Sequence, residues 1–371
     1  MNKKKVVLIS RVIYPHQAPR PMRATELAKE FATQGYDVSL YGLLGEFNYQ
    51  NFQEETGVKV KSLGRPLFAK QSSDDSHRYN VLDKVLSKLF HNLLEFPAIE
   101  LMFMVNRVLK KETDIDLLIT IAIPYPIHWG AALFRSRHPK KGRTFTWAAD
   151  CGDPYMGNHF RKKPFYFKYV EKWFCRHTDY LTIPIEGARK GYYEEFHHKI
   201  KVIPQGFKFD NIDYQRLYKK NQIPTFIYAG AFYEGVRDPQ PLLKHLSTLE
   251  QQDFKFVIYT KSKKLITPFK ERLNERLIIN DYIPRKELLL QMSQADFLVN
   301  FENNTGVQSP SKLIDYGLAG RPVLSINSNE ELDIELINQF LNGNYSKALR
   351  INNIEQFNIK NVVKEFSKLT Q

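Results

Sequence analysis

Short unbroken apolar runs recur along this chain, and stretches with helical spacing separate them. Lys4-Lys5-Val6-Val7-Leu8-Ile9-Ser10 is the first run, and a loop with Pro15, Pro19 and Pro21 follows it. Ala24, Leu27, Ala28, Phe31 and Ala32 then repeat at helical spacing until Gly35, and Val38-Ser39-Leu40-Tyr41 is the next strand. Further runs lie at residues 116–121, 144–149, 180–184 and 201–206. After a polar stretch from Asp210 to Gln222 the pattern restarts, with strands at 225–230, 254–259, 277–279, 297–299 and 322–326 and a helix over 239–249. A strand that is apolar throughout must be covered on both faces, so these runs predict parallel sheets between helix layers. The restart predicts two successive α/β domains, 1–205 and 206–371.

Length and charge agree with that division. A chain of 371 residues exceeds the usual size of one domain, and 43% hydrophobic with 25% charged residues is ordinary globular composition. The formal net charge of +14 favours anionic partners: nucleotide phosphates, anionic lipid or nucleic acid. No nucleic-acid motif accompanies it, so nucleic acid is not an expected partner. Cys151 and Cys175 form no metal-ligand spacing, which fits a reducing compartment. Val6-Val7-Leu8-Ile9 is too short for a signal-peptide core, and no run of about 18 apolar residues exists to span a bilayer. The expected location is cytoplasmic. Two apolar helical stretches lie in 81–111, the first with Leu82, Val85, Leu86, Leu89, Phe90, Leu93 and Leu94, the second with Leu101, Met102, Val105, Val108 and Leu109. With Lys84, Lys88, Lys110 and Lys111 beside them, they suit peripheral attachment to an anionic membrane. A pair of ordinary packing helices is the plainer reading.

The most informative segment runs Gln308-Ser309-Pro310-Ser311-Lys312-Leu313-Ile314-Asp315-Tyr316-Gly317-Leu318-Ala319-Gly320-Arg321-Pro322-Val323-Leu324. Ser309 as N-cap and Pro310 at the first helical position give a loop, a helix and then a strand. The first-turn N–H groups and the helix dipole make an anion site suited to a diphosphate, which Lys312 strengthens. Asp315 further along offers a carboxylate to a sugar hydroxyl. Asp150-Cys151-Gly152-Asp153-Pro154 leaves a strand at the C-terminal edge of a parallel sheet, where ligands of such sheets bind. Asp150 or Asp153 could there orient an acceptor hydroxyl or take its proton, or cap the loop instead. His128 follows another strand and is a third acceptor-side candidate. Asp114-Ile115-Asp116 has the D-x-D form of metal-dependent sugar transferases, but it precedes its strand, so no metal site is expected.

The 308–324 segment resembles the donor-site motif of retaining GT-B glycosyltransferases of the large family called group 1, or family 4, which build bacterial surface polysaccharides. Ile227-Tyr228-Ala229-Gly230 through Arg237-Asp238 resembles the strand and basic loop that meet the donor pyrophosphate. Val202-Ile203-Pro204-Gln205-Gly206 resembles the family's interdomain turn, and Ala149-Asp150-Cys151-Gly152-Asp153-Pro154 an aspartate-rich loop of some subgroups. The resemblance implies α/β, GT-B architecture: two Rossmann-like domains facing each other across a cleft, the first for the acceptor and the second for the donor. Residues 355–369 would form a helix returning to the first domain. It implies a nucleotide-diphosphate sugar as donor, a glycan or lipid-linked saccharide as acceptor, and no cofactor. Gly230, Arg237, Lys261, Ser309, Pro310, Ser311, Lys312 and Asp315 would bind the donor, with Arg237 also countering charge on the leaving diphosphate. Two departures stand out. Val307 occupies the place of the family's first acid, and Ala18-Pro19-Arg20-Pro21 replaces its usual Gly-Gly pair. A sugar-nucleotide epimerase of the same architecture and a non-catalytic sugar-nucleotide-binding subunit are the rival expectations.

Overall fold

The computed structural model describes residues 3–68, 89–158, 162–209, 214–302, 312–328 and 330–370. The chain forms two compact units, Met1–Phe209 with Gln356–Gln371, and Asp210–Glu355. In the first unit the described strands are β1 (Lys5–Ser10), β2 (Asp37–Gly42), β3 (Lys59–Ser62), β4 (Leu117–Ile121), β5 (Thr146–Asp150), β6 (Tyr180–Ile183) and β7 (Ile200–Val202). They form one parallel sheet in the order β3-β2-β1-β4-β5-β6-β7.

Alternation along each strand divides the core. Val6 and Leu8 enter one face, packed with Phe31 of the helix Pro19–Thr33 and with Val362, Val363 and Phe366 of the helix Ile359–Lys368. Val7 and Ile9 enter the other, against Val105 of the helix Glu100–Lys111 and Trp129 of the helix Pro126–Arg137. Those last two helices approach closely because residue 130 is glycine. A Cβ at Gly130 would stand 2.6 Å from Val105 Cβ and 2.7 Å from the Met102 carbonyl oxygen.

The second unit repeats the design with β8 (Thr225–Ala229), β9 (Lys255–Tyr259), β10 (Leu277–Asn280), β11 (Phe297–Phe301) and β12 (Val323–Ile326). These strands are parallel in the order β10-β9-β8-β11-β12. One face packs Phe226, Tyr228 and Phe256 with the helices Gln240–Leu246 and Ile334–Leu341. The other packs Ile227 and Leu298 with Met292 of the helix Arg285–Gln294 and Tyr316 of the helix Lys312–Ala319.

The final helix belongs to the first unit. Asn358 Oδ1 accepts from Lys360 N at 3.2 Å, and the Phe207 and Ile359 amides tie the entering chain to residues 357 and 207. Within 81–111, residues 81–88 lie outside the described residues. Residues 89–94 are helical, with Leu89, Phe90, Leu93 and Leu94 exposed. The helix Glu100–Lys111 buries Leu101, Met104, Val105, Val108 and Leu109, so it is a packing helix.

Candidate functional site

In the first unit the sheet order reverses between β1 and β4, and the C-terminal edge at such a reversal is where open parallel sheets bind ligands. Asp150, the last residue of β5, lies at this edge and is 2% exposed. Arg23 forks onto it, Nε donating to Oδ2 at 2.6 Å and Nη2 to Oδ1 at 2.7 Å. Thr182 Oγ1 donates to Oδ1 at 2.7 Å, and Arg23 Nη1 reaches the Pro204 carbonyl at 2.8 Å. Burial by itself would raise the Asp150 pKa, but the Arg23 charge and hydrogen bonds outweigh it and hold the carboxyl below its usual value. Both oxygens are thus committed. Asp150 does not offer the open carboxylate expected of an acceptor-side base; it joins β5, the first helix and the 203–204 turn.

His128 also differs from expectation. It is fully buried beneath the sheet edge, with Nδ1 2.7 Å from Thr120 Oγ1 and Nε2 3.6 Å from Cys151 Sγ, and it stacks on Phe174. Burial pushes its pKa down to about 3, so at neutral pH it is an uncharged packing residue. Asp153 is the open acid of this loop. Its side chain is 38% exposed, and Oδ2 stands 3.9 Å from Arg20 Nη2.

The second unit has its own reversal, between β8 and β11. Gly230 leaves β8 with φ +146°, a backbone state that glycine adopts readily, and its amide bonds the Tyr259 carbonyl. Arg237 closes a short turn on Tyr233, its guanidinium 5.9 Å from that ring. The phenols of Tyr228 and Tyr316 are raised chiefly by burial, and the Arg237 charge pulls both partly back, which sets this arginine near the helix that follows β11. Lys261 follows β9, exposed, its Nζ 5.4 Å from the Tyr282 ring. Lys312 opens the helix Lys312–Ala319, and Tyr316 OH anchors that helix to the Val299 carbonyl at 2.8 Å. Asp315 in its first turn is gripped by Arg285, Nε donating to Oδ1 at 2.8 Å and Nη2 lying 2.6 Å from the same oxygen. Its pKa is raised by burial, against which Arg285 acts. Ser309, Pro310 and Ser311 lie outside the described residues.

No family model matches the sequence, and no curated protein matches it. Solved structures do. The apo form of the lipopolysaccharide outer core galactosyltransferase WaaB aligns with a TM-score of 0.61 at 13% identity, over 98% of each chain. A point mutant of S. aureus TarM, in complex with fondaparinux, α-GlcNAc-glycerol and UDP, aligns with a TM-score of 0.55 at 11% identity, over 99% of this chain and 100% of its own. The UDP-GlcNAc 2-epimerase of Neisseria meningitidis bound to UDP-GlcNAc gives a TM-score of 0.56 at 12% identity, over 99% of both.

This chain has the GT-B fold. In this GT-B chain the expected donor residues described in the second unit follow the ends of its parallel strands. The expected acceptor residues divide: Asp153 is open, while Asp150 and His128 are enclosed. Three arginines escaped the sequence reading: Arg20, Arg23 and Arg285. Arg23 had a visible signal, a charge at a position of the first helix flanked by Ala24 and Leu27, where a buried cation requires a buried acid. Arg285 had none, because its pairing with Asp315 spans 30 residues.

Proposed function

We propose that this protein is a glycosyltransferase that moves a sugar from a nucleotide-diphosphate sugar to a glycan or lipid-linked saccharide, with retention and without a metal, in bacterial polysaccharide or lipopolysaccharide synthesis. One observation carries the reading. Gly230, Arg237 and Asp315 flank the β8/β11 reversal of a parallel sheet, the location at which open α/β sheets bind ligands. Negative charge grows on the leaving diphosphate as the glycosidic bond breaks. Arg237, Lys261 and the helix beginning at Lys312 supply fixed positive potential for it. Asp315, held by Arg285, offers its second oxygen to a ribose hydroxyl. Asp153 faces the acceptor. The test is release of nucleoside diphosphate in excess chelator, which this reading expects only when an acceptor is present.

The epimerase likeness motivates a second reading, in which a nucleotide sugar is isomerised with no acceptor. A new nucleotide sugar formed from the donor alone would establish it and remove the first.

Peripheral membrane association fits the first unit's surface. Leu67, Phe68, Phe90, Leu93, Leu94 and Phe165 are exposed, and the Phe68 and Phe90 rings lie 5.3 and 6.3 Å from Phe96. Tyr166 bonds the Leu93 carbonyl and Lys163 pairs with Glu95, joining the basic 162–168 segment to this apolar surface. Apolar side chains bordered by lysines suit an anionic leaflet on the cytoplasmic side.

A further inference from the structure

Arg20 and Gly152 are far apart in sequence and in contact in the fold. A Cβ at residue 152 would stand 1.2 Å from Arg20 Nη2 and 1.6 Å from its Cζ, so the guanidinium occupies the space that any other residue's side chain would need. The φ of Gly152 is not positive, so the backbone there does not demand glycine; a side chain at this position would instead push the flexible end of Arg20 out of its seat. Arg23, one turn along the same helix, is neutralised by Asp150 at 2.6 Å. Arg20 is not matched in this way. Among the described residues its ion pair is the long one to Asp153, at 3.9 Å. Its charge also helps hold the Asp150 carboxyl ionised, but Arg23 occupies both oxygens of that group, and the Arg20 side chain keeps 25% of its surface open. It stands at the second position of the helix Pro19–Thr33, at the reversal between β1 and β4. The helix terminus adds positive potential there.

We propose that Arg20, seated on Gly152, is an anion contact on the acceptor side and holds a phosphoryl group of the acceptor. The guanidinium fork matches two phosphate oxygens, whereas the Asp153 carboxylate lies at the outer limit of pairing and can be displaced to the side. Assigning the phosphate to the acceptor rests on the transferase reading above. The anion site itself does not.

Inorganic pyrophosphate, titrated calorimetrically into the full chain with UDP held at saturation, tests this. The parent binds it. Arg20→Ala lowers the affinity at least about tenfold, and Gly152→Ala, which keeps the arginine but displaces its guanidinium, lowers it comparably. Arg20→Lys falls between, since it keeps charge without the fork. UDP affinity stays parental in all three, and unfolding midpoints verify the fold. Unchanged pyrophosphate affinity in both alanine variants overturns the proposal. A parallel loss of UDP affinity assigns the phosphate to the donor and overturns the acceptor assignment. If the parent binds no nucleotide but still loses pyrophosphate with Arg20→Ala, the anion site stands and the transferase reading fails.

Discussion

Asp150→Asn separates a structural carboxylate from a chemical one. The substitution keeps one acceptor for Thr182 and Arg23 but turns an amide N–H₂ towards a guanidinium that is itself 3% exposed. Breaking a buried ion pair by removing one charge costs about 3–5 kcal/mol, because the remaining charge stays desolvated. For a unit of this size each kcal/mol lowers Tm by about 2–4 °C, so a fall of roughly 6–20 °C is expected. Urea unfolding of parent, Asp150→Asn, Arg23→Met and the double variant Arg23→Met with Asp150→Leu gives the comparison. Each single variant should unfold early, and the double should recover much of the loss, since it removes both buried charges. The sign with pH follows from the lowered pKa of Asp150. Its contribution is present above the unfolded carboxyl range and is lost as pH falls through the folded value, so the gap between parent and Asp150→Asn narrows in acid. A variant that unfolds with the parent yet no longer transfers sugar would refute the structural assignment and return Asp150 to the chemistry.

Other expectations are simpler. Burial raises Glu171 from 4.5 to about 7, so stability present below the unfolded value is lost as pH rises through about 7. Glu171→Gln should therefore gain up to about 3 kcal/mol on the parent between pH 5 and pH 8 in thermal unfolding; a constant difference across that range would contradict it. Asp315→Ala should weaken nucleotide binding by roughly 1.5–3 kcal/mol, the scale of a hydrogen bond to a charged group. An unchanged dissociation constant in the folded variant would remove Asp315 from the site. Liposome co-sedimentation should require anionic lipid, weaken with salt and fall in Phe90→Ser with Leu94→Ser; absence of binding at low salt would leave that surface without a membrane role.

Local chemistry was legible in the sequence, and long-range pairing was not. Unbroken runs such as Val6 to Ile9 and Leu117 to Ile121 announced buried parallel strands, and those strands form. β3 was invisible because Lys59, Val60, Lys61 and Ser62 form a polar run that pairs only with β2 among the described strands. A helix around Asp315 could be read, and the described helix Lys312–Ala319 carries it, while the expected Ser309-Pro310 start lies outside the described residues; Gly230 could be read from its place at a strand end. The enclosure of Asp150 could not, because its partner lies 127 residues away and its environment is made by β6 and the 203–204 turn. His128 shows the same limit. Its position after a strand could be read, but only packing against Phe174 and Cys151 decides that the ring faces inward.

Thermal stabilisation by nucleotide sugars is the direct test of donor binding. A donor supplied at about 100-fold its dissociation constant should add about 2.7 kcal/mol of stability, read as a rise in Tm that depends on ligand concentration. Such a rise is expected for at least one nucleoside-diphosphate sugar, with a much smaller one in Asp315→Ala. A parent chain whose Tm no nucleotide sugar moves, across a panel of bases and sugars, would contradict it.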